Sequence, residues 1–345
     1  MIETSSRTNQ TTELELLAAA HAGDEDAFAD LTRPVQRELH VHCYRMLGSL
    51  DDADDALQET LLRAWRSLDR FEPNAPLRAW LYRIATNVCL TMLERRTRRA
   101  EVAPPDWAAD FGDAGRQEGE PVHLDPYPDL LLDELGPDVT AEQREGVELA
   151  FVAAVQLLPP RQRASLLLRD VIGYTATEVA SMLATSVAGV NSALQRARAT
   201  LEQERRAGRI ARSHVCTAAA TEHALVRRLV DAWHAADVPA IVATLTEDAL
   251  LAMPPQPLHF VGRETIGAFF ATVPGQGRLD RFRLVPTRAN GQPAVAAYYR
   301  DGDVGPFRGY SILVLAIEGE AIASITRFAN ADLIPRFGLP MTIGG

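Results

Sequence analysis

The chain has 345 residues, of which 47% are hydrophobic and 23% charged, and its formal net charge at pH 7 is −11. This length suffices for two or three domains, and the composition excludes a fibrous or wholly disordered protein. No apolar run is long enough to span a bilayer, and the polar N-terminus lacks the apolar stretch of a signal peptide. The three cysteines show neither metal-binding nor disulfide spacing, so we predict a cytoplasmic protein with no metal and no cofactor.

The charge is unevenly distributed along the chain. Residues 61–100 include nine arginines and three acidic residues, and residues 145–212 include nine arginines and six acidic residues. Between them, residues 101–144 include two arginines and twelve acidic residues. The overall negative charge therefore conceals two basic segments that suit nucleic acid, separated by an acidic one.

Helical periodicity dominates the first 100 residues. Apolar residues recur at steps of three and four from Ala27 to Leu47, which predicts one long helix that ends at Gly48. A second helix is predicted to begin at Asp51, because its acidic first turns suit the helix dipole. Its buried stripe is predicted at Ala53, Leu57, Leu61, Ala64 and Leu68, and its polar face at Asp54, Asp55, Gln58, Glu59 and Arg63. From the residues alone, that face is a solvated surface.

A third helix, from Leu77 to Arg99, interleaves aromatic residues with arginine and asparagine. Such a surface suits a single nucleic-acid strand, because bases stack on rings and phosphates pair with guanidinium groups. The alternative is that Trp65 and Trp80 are core residues. The acidic residues 101–144 follow, are rich in proline and lack periodicity, which predicts a partly disordered linker or a bare tether.

The next stretch has the sequence signals of a helix-turn-helix. Pro159 suits a helix start, Thr175 and Glu178 have the spacing of a capping box, and Ser186 can cap a third helix. The buried stripe of that third helix is predicted at Val187, Val190, Leu194, Ala197 and Leu201. Its opposite face consists of Ala188, Gly189, Asn191, Ser192, Gln195, Arg196 and Arg198. Small and hydrogen-bonding groups without a carboxylate favour DNA binding over an ordinary three-helix packing unit.

Two blocks in this part of the chain resemble the extracytoplasmic-function (ECF) sigma factors of the sigma-70 family. The sequences DDADDALQETLLRAW and LRAWLYRIATN resemble region 2 of that family, while Leu158-Pro159, Arg163 and Arg196-Ala197-Arg198 match the pattern of region 4. The resemblance implies two all-α sigma domains that bind core RNA polymerase, through its β′ clamp helices and β flap, and promoter DNA. It also implies that the linker between the two regions threads the polymerase cleft.

The resemblance assigns three sets of residues. The polymerase-binding set is Asp54, Asp55, Gln58, Glu59 and Arg63. The set for the −10 promoter element is Arg78, Trp80, Arg83, Asn87, Arg95, Arg96, Arg98 and Arg99. The set for the −35 element is Ser186, Ala188, Gly189, Asn191, Ser192, Gln195, Arg196 and Arg198. Gly189 and Asn191 stand where the family often has threonine and lysine, which leaves the promoter sequence open.

The last third of the chain predicts a different architecture. Helical patterns occur near Leu225–Trp233, Val238–Leu245 and Arg263–Val273. Strand-like runs lie between and after them, with predicted hairpin turns at Asn290-Gly291 and Glu318-Gly319. This order resembles the polyketide-cyclase-like (SnoaL-like) branch of the nuclear-transport-factor-2 fold, an α+β cone with an apolar pocket. We therefore predict a multi-domain chain with boundaries at 1–100, 101–144, 145–212 and 222–345.

The function of this last domain has two interpretations. As a regulatory domain, it would contact the sigma domains within the same chain, and its pocket could take a small ligand that the sequence does not identify. As an enzyme of the cyclase or isomerase type, it would use an acid or base among His234, Asp237, His259 and Asp280. These four residues form no recognisable constellation, so we predict no catalytic residue. A third hypothesis, a repressor-like dimer that binds DNA without polymerase, would not need the Asp54–Arg63 face.

Overall fold

The computed structural model describes residues 13–71, 76–95, 124–133, 146–206, 218–256 and 258–344. Internal contacts divide the chain into two compact units, Met1–Thr97 with Pro159–Ala197 and Arg98–Leu158 with Arg198–Gly345. Within the described ranges, every helix is too short or too polar to cross a membrane.

A short helix at residues 13–21 precedes the labelled elements. The labelled helices are α1 (Glu25–Leu47), α2 (Leu50–Arg66), α3 (Leu77–Arg95), α4 (Asp129–Asp133), α5 (Leu149–Gln156), α6 (Pro160–Leu166), α7 (Ala176–Met182), α8 (Val187–Arg206), α9 (Ala219–His234), α10 (Val238–Val242) and α11 (Arg263–Thr272). The strands are β1 (Leu245–Ala252), β2 (His259–Val261), β3 (Phe282–Ala289), β4 (Gln292–Tyr299), β5 (Phe307–Glu318), β6 (Ala321–Phe328) and β7 (Thr342–Ile343).

Helices α1, α2 and α3 form a bundle in the first unit. The Asp24 carboxylate caps the start of α1 by accepting from the Ala27 amide, and Gly48 ends the helix in a left-handed conformation. The buried stripe of α2 consists of Ala53, Ala56, Thr60 and Ala64. Two of the residues predicted for this stripe, Leu57 and Leu61, are only half-buried, because the smaller residues take the side of α2 that faces the bundle.

The helix-turn-helix lies in the same unit and begins as the sequence predicts. Pro160 occupies the first turn of α6, which continues through a π-helical turn, Leu167–Val171. The Thr175 hydroxyl accepts from the Glu178 amide, and the Glu178 carboxylate accepts from the Thr175 amide at 2.7 Å, so the predicted capping box is confirmed.

The second unit contains a seven-stranded sheet in the order β2-β1-β6-β5-β4-β3, with β7 paired to β5. All pairs are antiparallel except β1 with β6. Helices α9 and α11 pack on this sheet around an apolar core. At the β3–β4 turn, Asn290 and Gly291 both have positive φ, 58° and 72°, which confirms the predicted hairpin.

The described parts of the acidic linker are folded onto this sheet. Pro128 forms an antiparallel bridge with Ala289, and the side chain of Tyr127 is fully buried. The expectation of a bare tether is therefore wrong for residues 124–133, because turn groups of the hairpin supply their hydrogen-bond partners. Contacts also group residues 146–158 with the second unit, although the sequence assigns them to the helix-turn-helix domain.

Candidate nucleic-acid and polymerase interfaces

Helix α8 presents a polar face of the kind that reads base edges. The Ser186 hydroxyl caps the helix by accepting from the Gly189 amide at 3.0 Å. The exposed residues of the predicted −35 set are Ser186, Ala188, Asn191, Ser192, Gln195, Arg196 and Arg198, while Gly189 is half-buried. Val190, Leu194 and Ala197 are buried on the opposite side.

Two details of α8 differ from or refine the prediction. Val187 is 41% exposed, so the prediction that it belongs to the buried stripe is wrong. It is the first residue of α8 and lies next to the exposed turn. A Cβ on Gly189 would lie 2.6 Å from the Thr185 hydroxyl oxygen, so a side chain there would force the Thr185 hydroxyl to move. Glycine thus keeps the capped turn compact at the start of the polar face.

Helix α3 exposes three of the residues predicted to contact the −10 element. Arg83, Asn87 and Arg95 are exposed, and the Asn87 amide donates to the Arg83 carbonyl at 2.9 Å. Arg96, Arg98 and Arg99 lie outside the described residues. This exposed face has a guanidinium group and an amide one helical turn apart, which suits a phosphate next to a base edge.

The expectation that Trp80 faces DNA is wrong. Trp80 is only 8% exposed and its ring packs against Phe71 at a centroid distance of 5.1 Å. Its apolar surface stabilises the bundle, as the core alternative predicts, so it offers no open ring for stacking on a base.

Arg78 is also engaged within the protein. Its Nε donates to the Glu38 carboxylate at 2.8 Å, and its guanidinium carbon lies 4.8 Å from the centroid of the Tyr82 ring. A further guanidinium nitrogen lies 3.5 Å from the hydroxyl oxygen of Tyr174, in the helix-turn-helix. The prediction that Arg78 faces DNA therefore fails in this conformation, because its charge already pairs with Glu38.

Further contacts join the three-helix bundle to the helix-turn-helix within the first unit. The rings of Tyr82 and Tyr174 meet edge to face at 5.8 Å. The buried Arg163 guanidinium donates to the carbonyl of Met46 at the end of α1. These contacts hold the helix-turn-helix against the three-helix bundle.

The predicted polymerase face on α2 is partly exposed. Asp55 and Gln58 are exposed, whereas Asp54 lies 2.9 Å from the His40 ring and Glu59 pairs with Arg63 at 2.6 Å. An apolar groove of about 470 Å³ beside Gln58 escaped the sequence reasoning. It is lined by Phe28, Leu61, Leu62 and Trp65, among others, and Leu62 is 49% exposed.

The linker makes the contacts that sequence reasoning missed most completely. The Asn290 carboxamide accepts from the Tyr127 amide at 2.8 Å and donates to the Val147 carbonyl at 2.7 Å. Asp129 accepts from the Gly291 amide at 2.8 Å and pairs with Arg288 at 3.1 Å. One hairpin turn thus binds both Tyr127 and Asp129 of the linker and Val147, which follows the linker. The only signals were the DPYPD sequence and the predicted Asn290-Gly291 turn.

The four acid–base candidates occupy separate structural positions. His234 accepts from the Leu284 amide at 3.0 Å, and Asp237 caps α10 by accepting from the Ala240 amide. Burial lowers the pKa of His259. The hydrogen bonds that Asp280 accepts from Arg278 lower its pKa to about 2. None of the four is among the described residues that line the cavity beside Trp233, Phe269 and Phe282 in this domain.

Three family models match the chain. Sigma-70 region 2 matches residues 31–99, sigma-70 region 4 matches residues 148–201, and a SnoaL-like domain matches residues 226–325. These matches agree with the predicted fold class, two all-α regions followed by an α+β domain.

Individual relatives agree with the models. The chain is 41% identical over 322 residues to the ECF RNA polymerase sigma factor SigG of Mycobacterium tuberculosis, covering 91% of this chain and 84% of SigG. It is 29% identical over 184 residues to the ECF RNA polymerase sigma factor SigW of Bacillus subtilis, covering 53% of this chain and 91% of SigW. The crystal structure of the M. tuberculosis extracytoplasmic function sigma factor SigJ superposes with a TM-score of 0.57 at 22% identity, covering 91% of this chain and 99% of SigJ.

Proposed function

Because the chain belongs to the ECF sigma factors of the sigma-70 family, we propose that it binds core RNA polymerase and directs transcription from promoters that its two helical regions select. The observation that supports DNA binding is the exposed face of α8 from Ser186 to Arg198, which contains no carboxylate and follows a capped turn. Amide and hydroxyl groups at its start reach base edges, and Arg196 and Arg198 pair with phosphates. Core polymerase operates in the cytoplasm, where we place this protein.

The α3 face is proposed to contact the −10 element through Arg83, Asn87 and Arg95. Arg78 can contact the same DNA only after it has separated from Glu38 and Tyr174. Binding to polymerase and promoter would supply that separation, because regions 2 and 4 must then contact two different stretches of DNA. The packed state of the two modules is therefore a resting state.

The C-terminal domain is proposed to regulate the sigma regions within the same chain through the linker. In this family the linker between regions 2 and 4 enters the polymerase cleft, whereas here its described parts are hydrogen-bonded to the β3–β4 turn. One segment cannot occupy both places, so the domain competes with polymerase for the linker. Release of the linker from Asn290 would therefore favour binding of the chain to polymerase.

We also propose that this domain acts without catalysis. His234 and Asp237 serve as backbone partners, Asp280 is paired with Arg278, and these groups do not converge on one reacting atom. An isomerase or cyclase needs an acid or base within hydrogen-bond reach of its substrate. Substitution of any one of them would leave promoter-dependent transcription unchanged.

Polymerase binding is tested with a charge reversal on α2. Asp55 is exposed and belongs to the predicted polymerase face, so Asp55→Arg should weaken binding to purified core polymerase by roughly tenfold or more, since a wrong charge at an interface costs several kcal/mol. The matched control is Asp69→Arg, which changes an exposed aspartate in the turn after α2. Equal affinities of Asp55→Arg and the unchanged protein in biolayer interferometry would remove the assignment of this face.

A further inference from the structure

The C-terminal domain contains a cavity of about 490 Å³ between helices α9 and α11 and the sheet. Its walls are largely apolar and include the aromatic residues Trp233, Phe269, Phe270 and Phe282. Cavities of this size and apolar character are typical of small-molecule sites. The question is which chemical class of molecule this one would take.

A single charged side chain, that of Arg327, lines the described wall of this cavity. Arg327 lies opposite Leu313 in the β5–β6 register, and both residues line the cavity. Its guanidinium carbon lies 4.9 Å from the centroid of the Tyr310 ring. Burial lowers the pKa of Arg327, but a guanidinium keeps its proton at any physiological pH. The cavity therefore contains a permanent positive charge.

No carboxylate of the described residues pairs with this charge. The lining residues include no aspartate or glutamate, whereas Arg278 and Arg288 of the same domain both form ion pairs with carboxylates. A desolvated charge without a counterion is unfavourable in a folded protein. An anion that enters the cavity would remove this cost.

Neutral hydrogen-bond donors accompany the charge. Trp233 is 4% exposed, and its indole N–H has no acceptor among the described residues. The buried Ser311 and the Gln256 side chain also line the cavity. An unsatisfied buried donor is uncommon in native proteins, and Trp233 borders the same cavity as the guanidinium.

We propose that this cavity binds a small organic acid with an aromatic or alicyclic body, whose carboxylate pairs with Arg327. The ring of the acid would pack among the aromatic side chains of α9, α11 and β3. This binding is a property of the C-terminal domain and does not depend on the polymerase or promoter contacts proposed above.

The test is isothermal titration calorimetry on the full-length protein with 2-naphthoate and its neutral analogue 2-naphthamide. We expect 2-naphthoate to bind at least tenfold more tightly than the amide. Arg327→Met should abolish this preference while retaining weak binding of both probes. The matched control, Arg308→Met, changes an exposed arginine of β5 outside the cavity and should retain the preference.

A second measurement separates binding from a structural role. Without a probe, Arg327→Met should unfold at the same temperature as the unchanged protein or a higher one, because it replaces a desolvated charge by an apolar chain. A lower unfolding temperature would mean that Arg327 is structural and would overturn the proposal. Absence of binding, equal binding of acid and amide, or a preference that persists in Arg327→Met would overturn it as well.

Discussion

His42 illustrates how a single buried residue makes the first unit sensitive to acid. The Thr86 hydroxyl donates to the Tyr82 carbonyl at 2.7 Å, so the His42 Nε2–H donates to the Thr86 oxygen at 2.9 Å. The other ring nitrogen has no partner among the described residues. Burial, followed by the charges of Arg45 and Arg78, lowers the pKa of His42 to about 3. The folded protein therefore holds this ring neutral.

This shift predicts a loss of stability on acidification. The unfolded chain takes up a proton at His42 near its ordinary pKa of 6.5, whereas the folded chain does so only near 3. The stabilisation is therefore present above pH 6.5 and declines as the pH falls, by about 1–2 kcal/mol between pH 6.5 and 5. Urea unfolding at these two pH values should show that His42→Gln loses correspondingly less free energy of unfolding than the unchanged protein. A His42→Gln dependence identical to that of the exposed-site control His223→Gln would refute it.

At the scale of elements, the β3–β4 turn and the linker form one structure. Asn290 adopts φ 58°, a conformation that asparagine tolerates, and its side chain pairs with the Tyr127 amide and the Val147 carbonyl. Leaving a buried donor or acceptor unpaired costs about 1–3 kcal/mol. The turn therefore sets how firmly the linker is held.

The variant Asn290→Gly isolates this contact, because glycine keeps the positive φ while removing the carboxamide. We expect faster amide hydrogen exchange at residues 124–133, with exchange in β5 and β6 unchanged. Asn330→Gly is the control, since Asn330 caps the turn Ala331–Phe337 through the Asp332 amide and makes no described linker contact. Unchanged exchange at the linker in Asn290→Gly would show that other groups hold it.

Local signals made some of these elements predictable and others not. The Thr175–Glu178 capping box is confirmed because its two residues are three apart and determine each other's geometry. The bond between Tyr127 and Asn290 joins residues 163 positions apart, and no periodicity encodes such a contact. The sequence left two alternatives for Trp80, DNA contact or core, because helical spacing places it on a face of α3 without revealing its packing partner Phe71.

For the whole molecule, the distribution of charge now has a structural meaning. The basic helices α3 and α8 belong to the sigma regions, while the described parts of the acidic segment between them belong to the second unit. Family membership and the two region matches make the chain a sigma factor, and we propose that the exposed face of α8 determines which promoter it selects.

The most direct test is transcription by purified core polymerase on a promoter library, with the full-length protein and with Asn191→Ala. We expect initiation from promoters that share one −10 and one −35 element, and a loss of roughly tenfold for Asn191→Ala that depends on the −35 element, since a base contact contributes about 1–3 kcal/mol. Gln203→Ala, an exposed substitution further along α8, should leave initiation unchanged. Initiation without promoter preference, or none above that of core polymerase alone, would contradict the assignment of this chain as a promoter-selective sigma factor.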